Sequence, residues 1–344
     1  MGKISVIVPV YNALPHLLQC LEALQAQICN DIEFVLIDDG STDGGAAVCD
    51  QFAQTDPRFR VIHKPNGGVS EARNDGMRAA TGDYIGFVDS DDLLEPTMYQ
   101  TMLNRLEAEH ADGVFCGFYQ DGRAGQSAFT REETADAVEA AWQLLTKDGY
   151  FSGPWNKLFD REILMDHQGN LIPFRSDLAI GEDEVWLHQV VAGCNRIAFC
   201  PEPLYHWKLR PGSATANKTL PASRLTVITS KREVIQMVSP YGRKFACLAK
   251  ARMYKSLFVV RTQAYRWKDW KKLATVNRAM RPVFFAWLTC EEFPRGYKVN
   301  TLTMNVMMAL RIDSRKIDHV LVMRDSWLRG FWNKIKKRIR KRMR

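Results

Sequence analysis

The 344-residue chain lacks several patterns that would fix its chemistry at once. It has eight cysteines but no C-x-x-C pair, so neither a zinc ribbon nor a dithiol redox centre is indicated. No G-x-G-x-x-G and no G-x-x-x-x-G-K-[ST] occurs, which removes the dinucleotide and P-loop fingerprints. No apolar run approaches the roughly 18 uninterrupted residues of a membrane-spanning helix. The stretch PVFFAWLTC, 282–290, is too short. The opening MGKISVIVPVYN has too brief an apolar run for a secretory leader and reads as a strand. A reducing, cytosolic location with free thiols is therefore expected. Internal repeats and low-complexity segments are absent as well.

The charge is not spread evenly. The formal net charge is +8, yet residues 327–344 hold nine Lys or Arg and no acid, leaving 38 basic against 39 acidic residues elsewhere. A body so close to neutral argues against nucleic acid as a partner.

What is present is an alternation. β-Branched and apolar runs predict strands over Ile4–Val10, Ile32–Ile37, Phe59–His63, Tyr84–Val88 and Gly113–Tyr119. Between and after them, helical spacing predicts helices over Pro15–Gln27, Gly44–Gln54, Val69–Ala80, Met98–Glu109 and Thr134–Thr146. This order predicts an α/β fold with a doubly wound, mostly parallel sheet. Such sheets bind ligands at the C-terminal tips of their strands. Carboxylates follow two of the predicted strands, as Asp38-Asp39 and as Asp89-Ser90-Asp91-Asp92. In an extended segment Asp89 and Asp91 share a face and suit Mn²⁺ or Mg²⁺ with a diphosphate. An acidic turn capping the next helix is the other reading of the same residues.

Further along, Glu182-Asp183 precede apolar residues at helical spacing, so the pair belongs near a helix N-terminus, which favours ionised carboxylates. Beyond Pro221 the pattern is helical over Ala222–Val238, Arg243–Trp267 and Lys268–Trp287. In the basic tail, Leu328, Phe331, Trp332, Ile335, Ile339 and Met343 fall on one helical stripe. That composition suits a helix lying on an anionic membrane surface; a solvated charge run or an RNA-binding tail is the alternative.

The segments SVIVPVYNALPHLLQCLEAL, EFVLIDDGSTDGG, NGGVSEARNDGMRAATGDYIGFVDSDDLLEP and GEDEVW occur in this order. Together they resemble the family 2 glycosyltransferases with a GT-A fold, over roughly residues 3–215. The resemblance implies a UDP-sugar donor with Mn²⁺ or Mg²⁺. Pro9 and Tyr11 match the uracil-packing strand end, and Asp39 the acceptor for uracil N3. Arg73 matches an arginine near the phosphates, Asp89 the residue reaching ribose or metal, Ser90 a donor-binding position beside it, and Asp91 the main ligand of the divalent ion. Asp183 is implied as general base of an inverting displacement that forms a β-linkage, with Glu182 supporting it or contacting the acceptor.

The segment GYFSGPWNKLF, 149–159, resembles one that approaches the sugars in polysaccharide-building members. Trp155, Asn156 and Lys157 are thus candidate sugar contacts. A core position for Trp155, with Lys157 paired to an acid, stays equally open. In LYHWKLRPGSAT, Arg210 and Ser213 fit a lid over the donor diphosphate, and His206 reads as structural.

The implied organisation is a GT-A domain over 1–215, a helical region over 216–326 and the membrane-surface tail over 327–344. The implied function is sugar transfer to a lipid-linked or polysaccharide acceptor in bacterial O-antigen, lipopolysaccharide core or capsule synthesis, at the inner face of the cell membrane. One rival is a processive synthase. Gln263–Trp267 spells its Q-x-x-R-W signature, but far beyond the Glu-Asp pair and without channel helices. The other rival is a non-catalytic GT-A binding protein, against which the intact Asp89, Asp91 and Asp183 argue.

Overall fold

The computed structural model describes residues 2–120, 123–124, 133–146, 152–208, 221–292, 298 and 301–302. Its strands are β1 (Ile4–Val10), β2 (Ile32–Asp38), β3 (Phe59–His63), β4 (Tyr84–Phe87), β5 (Leu93–Leu94), β6 (Gly113–Gln120), β7 (Arg123–Ala124), β8 (Glu133–Ala135), β9 (Lys157–Asp160) and β10 (Ile197–Trp207). Its helices are α1 (Leu14–Gln25), α2 (Gly45–Thr55), α3 (Val69–Ala79), α4 (Met98–Glu109), α5 (Ala137–Thr146), α6 (Glu182–Gly193), α7 (Val227–Val238), α8 (Arg243–Arg266), α9 (Trp270–Met280) and α10 (Phe284–Thr289).

The strands form one sheet in the order β3-β2-β1-β4-β9-β6-β10-β5, with β7 beside β6 and β8 beside β10. β3, β2, β1 and β4 run parallel, as do β6 and β10, while β9 is antiparallel to both its neighbours. β1 is central because both of its faces are covered. Ile4, Val6, Val8 and Val10 pack with α1 and α4 residues such as Leu17, Leu21 and Met102. Ile7, on the other face, packs with Met77 of α3 and Trp186 of α6. A strand buried on both sides reads as a continuous apolar run, as this one does. Gly76 lets α3 lie close on β1, since a Cβ there would strike the Ile7 side chain.

Register sets the site. Val10 pairs with Asp38, Asp38 pairs with His63, and Ile7 pairs with Phe87. The chain turns from β1 to β2 on one side and reaches β4 on the other, so the strand order reverses at β1. Crevices at such reversals are where open α/β sheets bind ligands.

Two details differ from the sequence expectations. Thr134 and Ala135, expected to begin a helix, belong to β8 and pair with β10 instead. Helix α5 starts only after Asp136, whose carboxylate accepts from Glu139 N at 2.8 Å. The expected single helix over 268–287 is broken: Lys268 has φ 54°, Asp269 caps α9, and Pro282 sits in a 3₁₀ turn ahead of α10. The chain forms two compact units. One compact unit comprises Met1–Lys218 with Thr229–Ala246, the other Thr219–Ile228 with Cys247–Arg344. Most of α7 therefore belongs with the sheet. In the second unit Tyr254 stacks on Trp287 at 4.5 Å, and no described helix is long and apolar enough to cross a membrane. None of the eight cysteines is joined in a disulfide.

Candidate active site

The acidic stretch after β4 is a turn, not the extended segment expected. Asp92 N donates to Asp89 O at 3.0 Å, closing four residues on themselves. The turn brings Asp89, Asp91 and Asp92 together, each with a carboxylate oxygen within 4.8 Å of the others. Asp92 was missed as a partner because strand alternation puts it on the opposite face. Its carboxylate accepts from Tyr205 Oη at 2.8 Å and Lys208 N at 2.9 Å. Only 1 % of Asp92 is exposed. Burial, and then the charge of Asp89, push it up to about 7, against the pull of those two donors.

Gly181, with φ 85°, turns the chain into α6, and a Cβ there would meet Ser230. The first turn of α6 carries Glu182, Asp183 and Glu184. Glu184 is tied to Lys231 of α7 at 2.6 Å, and Asp183 accepts from Glu184 N at 2.8 Å. Burial first, then the charge of Glu182, raise Asp183 to about 7, while Arg73 acts to lower it.

Arg73 of α3 joins these two acidic groups. Its Nη2 donates to Asp89 Oδ1 at 2.9 Å, and its Nη1 lies 3.8 Å from Glu182 Oε1. The residue is 5 % exposed, and its Nε and Nη1 have no hydrogen-bond acceptor among the described residues. Buried donors without partners are rare, and here they adjoin a cluster of ligand-type carboxylates.

The neighbouring tips are more settled. Tyr11 stands 53 % exposed beyond β1, whereas Pro9 is buried within that strand. Asp39 is 2 % exposed and accepts from Lys64 Nζ, Gly67 N and Gly68 N at 2.8, 2.8 and 2.7 Å. Three of a carboxylate's roughly four acceptor directions are thereby filled.

The comparisons with known proteins decide what this arrangement belongs to. The model of the family "Glycosyl transferase family 2" matches residues 5–168. The "Uncharacterized glycosyltransferase EpsJ" of Bacillus subtilis (strain 168) is 32 % identical over 263 residues, covering 73 % of this chain and 74 % of EpsJ. The chain belongs to the family 2 glycosyltransferases. Glycosyltransferase GlyG of Streptococcus pneumoniae serotype 4 is 33 % identical over 224 residues, 61 % of this chain and 72 % of GlyG. Among solved structures, S. aureus TarS 1–349 in complex with UDP-GlcNAc superposes with a TM-score of 0.59 at 20 % identity, covering 81 % of this chain and 92 % of TarS 1–349. That likeness shows the shared GT-A fold.

Within this glycosyltransferase, the segment holding the candidate sugar contacts is buried, and Trp155 takes the core position that the sequence left open. Trp155 is 6 % exposed, stacked on Tyr205 at 4.6 Å with Phe118 edge-on at 5.1 Å. It supports the tyrosine that holds Asp92. Asn156 donates to Cys116 O at 2.6 Å, and Lys157 Nζ donates to Gly153 O and Asn156 Oδ1 at 2.6 and 2.7 Å. Lys157 is fully buried, and burial lowers its ammonium to about 7 against the opposing charges of Cys116 and Asp183. Ser90 is buried in the acidic turn. His206 is stacked on Tyr119 and paired with Glu95 at 2.7 Å. Arg210, Ser213 and the tail 327–344 lie outside the described residues. Tyr205 escaped sequence reasoning because nothing local announces a partner 113 residues away.

Proposed function

We propose that this glycosyltransferase is an inverting, divalent-cation-dependent enzyme that moves a sugar from a UDP-sugar to a hydroxyl of a lipid-linked or polysaccharide acceptor. The observation that carries the reading is the buried Arg73 guanidinium, with the Asp89 cluster on one side, Glu182-Asp183 on the other, and donors left over. Those donors suit diphosphate oxygens. The UDP donor is adopted from the motif resemblance and from the ligand of TarS.

The acidic turn fits a hard cation: its three carboxylates offer oxygens close together, with Asp91 and Asp89 as the main ligands and Asp92 held from behind by Tyr205. When bound, Mn²⁺ or Mg²⁺ supplies positive charge that stabilises the departing diphosphate. The remaining chemistry belongs to side chains. The acceptor hydroxyl oxygen attacks the anomeric carbon, the carbon–oxygen bond to the diphosphate breaks, and the hydroxyl proton goes to a carboxylate oxygen of Asp183. Attack from the face opposite the leaving group inverts that carbon. Glu182 keeps Arg73 and the acceptor side aligned. Asp39 shapes the base pocket by holding the Gly67–Gly68 turn, leaving one acceptor direction for a uracil N–H, and the exposed ring of Tyr11 offers the stacking face. Bacterial surface polysaccharide is the proposed product, in line with the motif resemblance.

A panel of UDP-sugars with Mn²⁺ or Mg²⁺, scored for binding by calorimetry and for UDP release, tests the reading. Metal-dependent binding of at least one donor is expected. A chain that binds no UDP-sugar under either cation would overturn it.

A further inference from the structure

Asn74, next to Arg73 in α3, makes a contact that the transfer chemistry leaves unused. Its Nδ2 donates to Phe174 O at 2.8 Å and its Oδ1 accepts from Phe174 N at 2.8 Å. One side chain thus satisfies both backbone groups of a residue 100 positions away, as a neighbouring strand would. Ser70, one turn earlier on the same face, donates to Arg175 O at 3.2 Å. From the other side, Trp186 Nε1 of α6 donates to Ile172 O at 2.9 Å. The short stretch 172–175 is therefore pinned between α3 and α6.

The ring held in this way is a hub. Phe174 stacks on Trp186 at 4.3 Å with 13° between planes. It meets Phe87, the last residue of β4, edge-on at 5.4 Å, and lies under the Arg73 guanidinium at 5.2 Å. Phe87 leads into Asp89, and Trp186 is three residues past Asp183 on the same helical face. The ring therefore touches the strand that aims one carboxylate, the helix that aims another, and the cation between them.

We infer that Asn74 is a positioning residue: by fixing Phe174 it sets the separation and orientation of the Asp89 turn relative to the first turn of α6. A packed aromatic ring between two elements has few alternative arrangements, so releasing it moves both. The Glu184–Lys231 pair and the burial of Val185, Leu187 and Val190 keep α6 folded when the clamp is lost, so the effect is on alignment rather than on formation of the helix. The kinetic consequence rests on the transferase reading above; the alignment itself does not.

The test uses the full chain with Asn74→Asp, which keeps acceptance from Phe174 N but sets two oxygens against each other at Phe174 O, and Phe174→Leu, which keeps apolar bulk without the ring. The readouts are UDP release with water as acceptor, metal-dependent UDP affinity, and amide hydrogen exchange. Turnover per folded molecule is expected to fall roughly tenfold to a hundredfold in either variant, the scale of a small misplacement. Metal-dependent UDP affinity falls less than turnover does, exchange at 182–186 quickens, and the double variant loses no more than the worse single one. A purely structural role would lower thermal stability and leave turnover per folded molecule and exchange at 182–186 unmoved; that result overturns the inference. If the wild-type chain releases UDP from no donor, the proposed function fails, and exchange at 182–186 alone decides: no change there in Phe174→Leu overturns the positioning role.

Discussion

The guanidinium of Arg73 donates to the carboxylate of Asp89 at 2.9 Å, across a pair of elements that the sequence separates by 16 residues. This bond makes α3 a strut between the acidic turn and α6. Replacing Arg73 by Ala leaves the part-buried Asp89 and Glu182 facing each other without a counter-charge. Breaking buried pairs typically costs about 3–5 kcal/mol, and the partial exposure of Asp89 points to the lower end. Urea unfolding of Arg73→Ala checks the loss of stability. Arg73→Lys should fold better but still release UDP slowly, because a point charge cannot span two partners.

Asp91→Ala is expected to abolish metal-dependent UDP binding while leaving the fold intact, since Asp91 is half-exposed in a turn and carries no core packing. Calorimetry with and without Mn²⁺ or Mg²⁺ reads this directly. Unchanged affinity in the variant would remove Asp91 from the cation site.

Asp183→Asn should retain donor affinity and lose turnover by about 10²–10⁴-fold, the usual contribution of a general base. The wild-type rate should rise as pH passes upward through about 7, because burial and Glu182 hold Asp183 protonated below that value. Glu182→Gln removes the neighbouring negative charge and should move this limb to lower pH. The same shift bears on stability. A proton held more tightly by the folded chain favours folding fully below the ordinary carboxylate value of about 3.9, and that contribution is lost as pH rises through the folded value. Rate–pH and unfolding–pH profiles of the two variants separate these effects.

Tyr205→Phe keeps the stack on Trp155 but removes the donor to Asp92 and the acceptor for Asp89 N. A buried hydrogen bond lost with its partner left in place costs roughly 1–3 kcal/mol. Weaker metal-dependent UDP binding should accompany the lower melting temperature. A melting change without any change in affinity would confine Tyr205 to packing.

The basic stretch 327–344 is proposed to contact anionic lipid, at about 1 kcal/mol for each basic residue near the surface. A chain ended after Asp325 should leave vesicles containing anionic phospholipid at low salt and still bind UDP. Equal co-sedimentation of both forms would show that the contact lies elsewhere.

The sequence by itself determined five of the ten described strands and the family. The run at Ile4–Val10 is a strand with those bounds, because burial on both faces demands uninterrupted apolar residues; the edge strand Phe59–His63, with Arg60 and His63 exposed, keeps its expected bounds as well. The acidic stretch after β4 and the Glu-Asp pair at the start of α6 were legible from composition breaks at element ends, which are local signals. Tertiary structure decided how they meet. Asp92 joined Asp89 and Asp91 because the chain turns there, and a two-residue alternation argument assumes that it does not. Trp155, Asn156 and Lys157 went beneath the site because β9 pairs between β4 and β6, which buries a strand whose composition would equally suit a surface. Arg73, Asn74 and Phe174 form one clamp only because helix and loop come together over 100 residues of chain. Propensity and periodicity act over a few residues, whereas such contacts are fixed by packing of the whole sheet with its helices, and no local pattern encodes them.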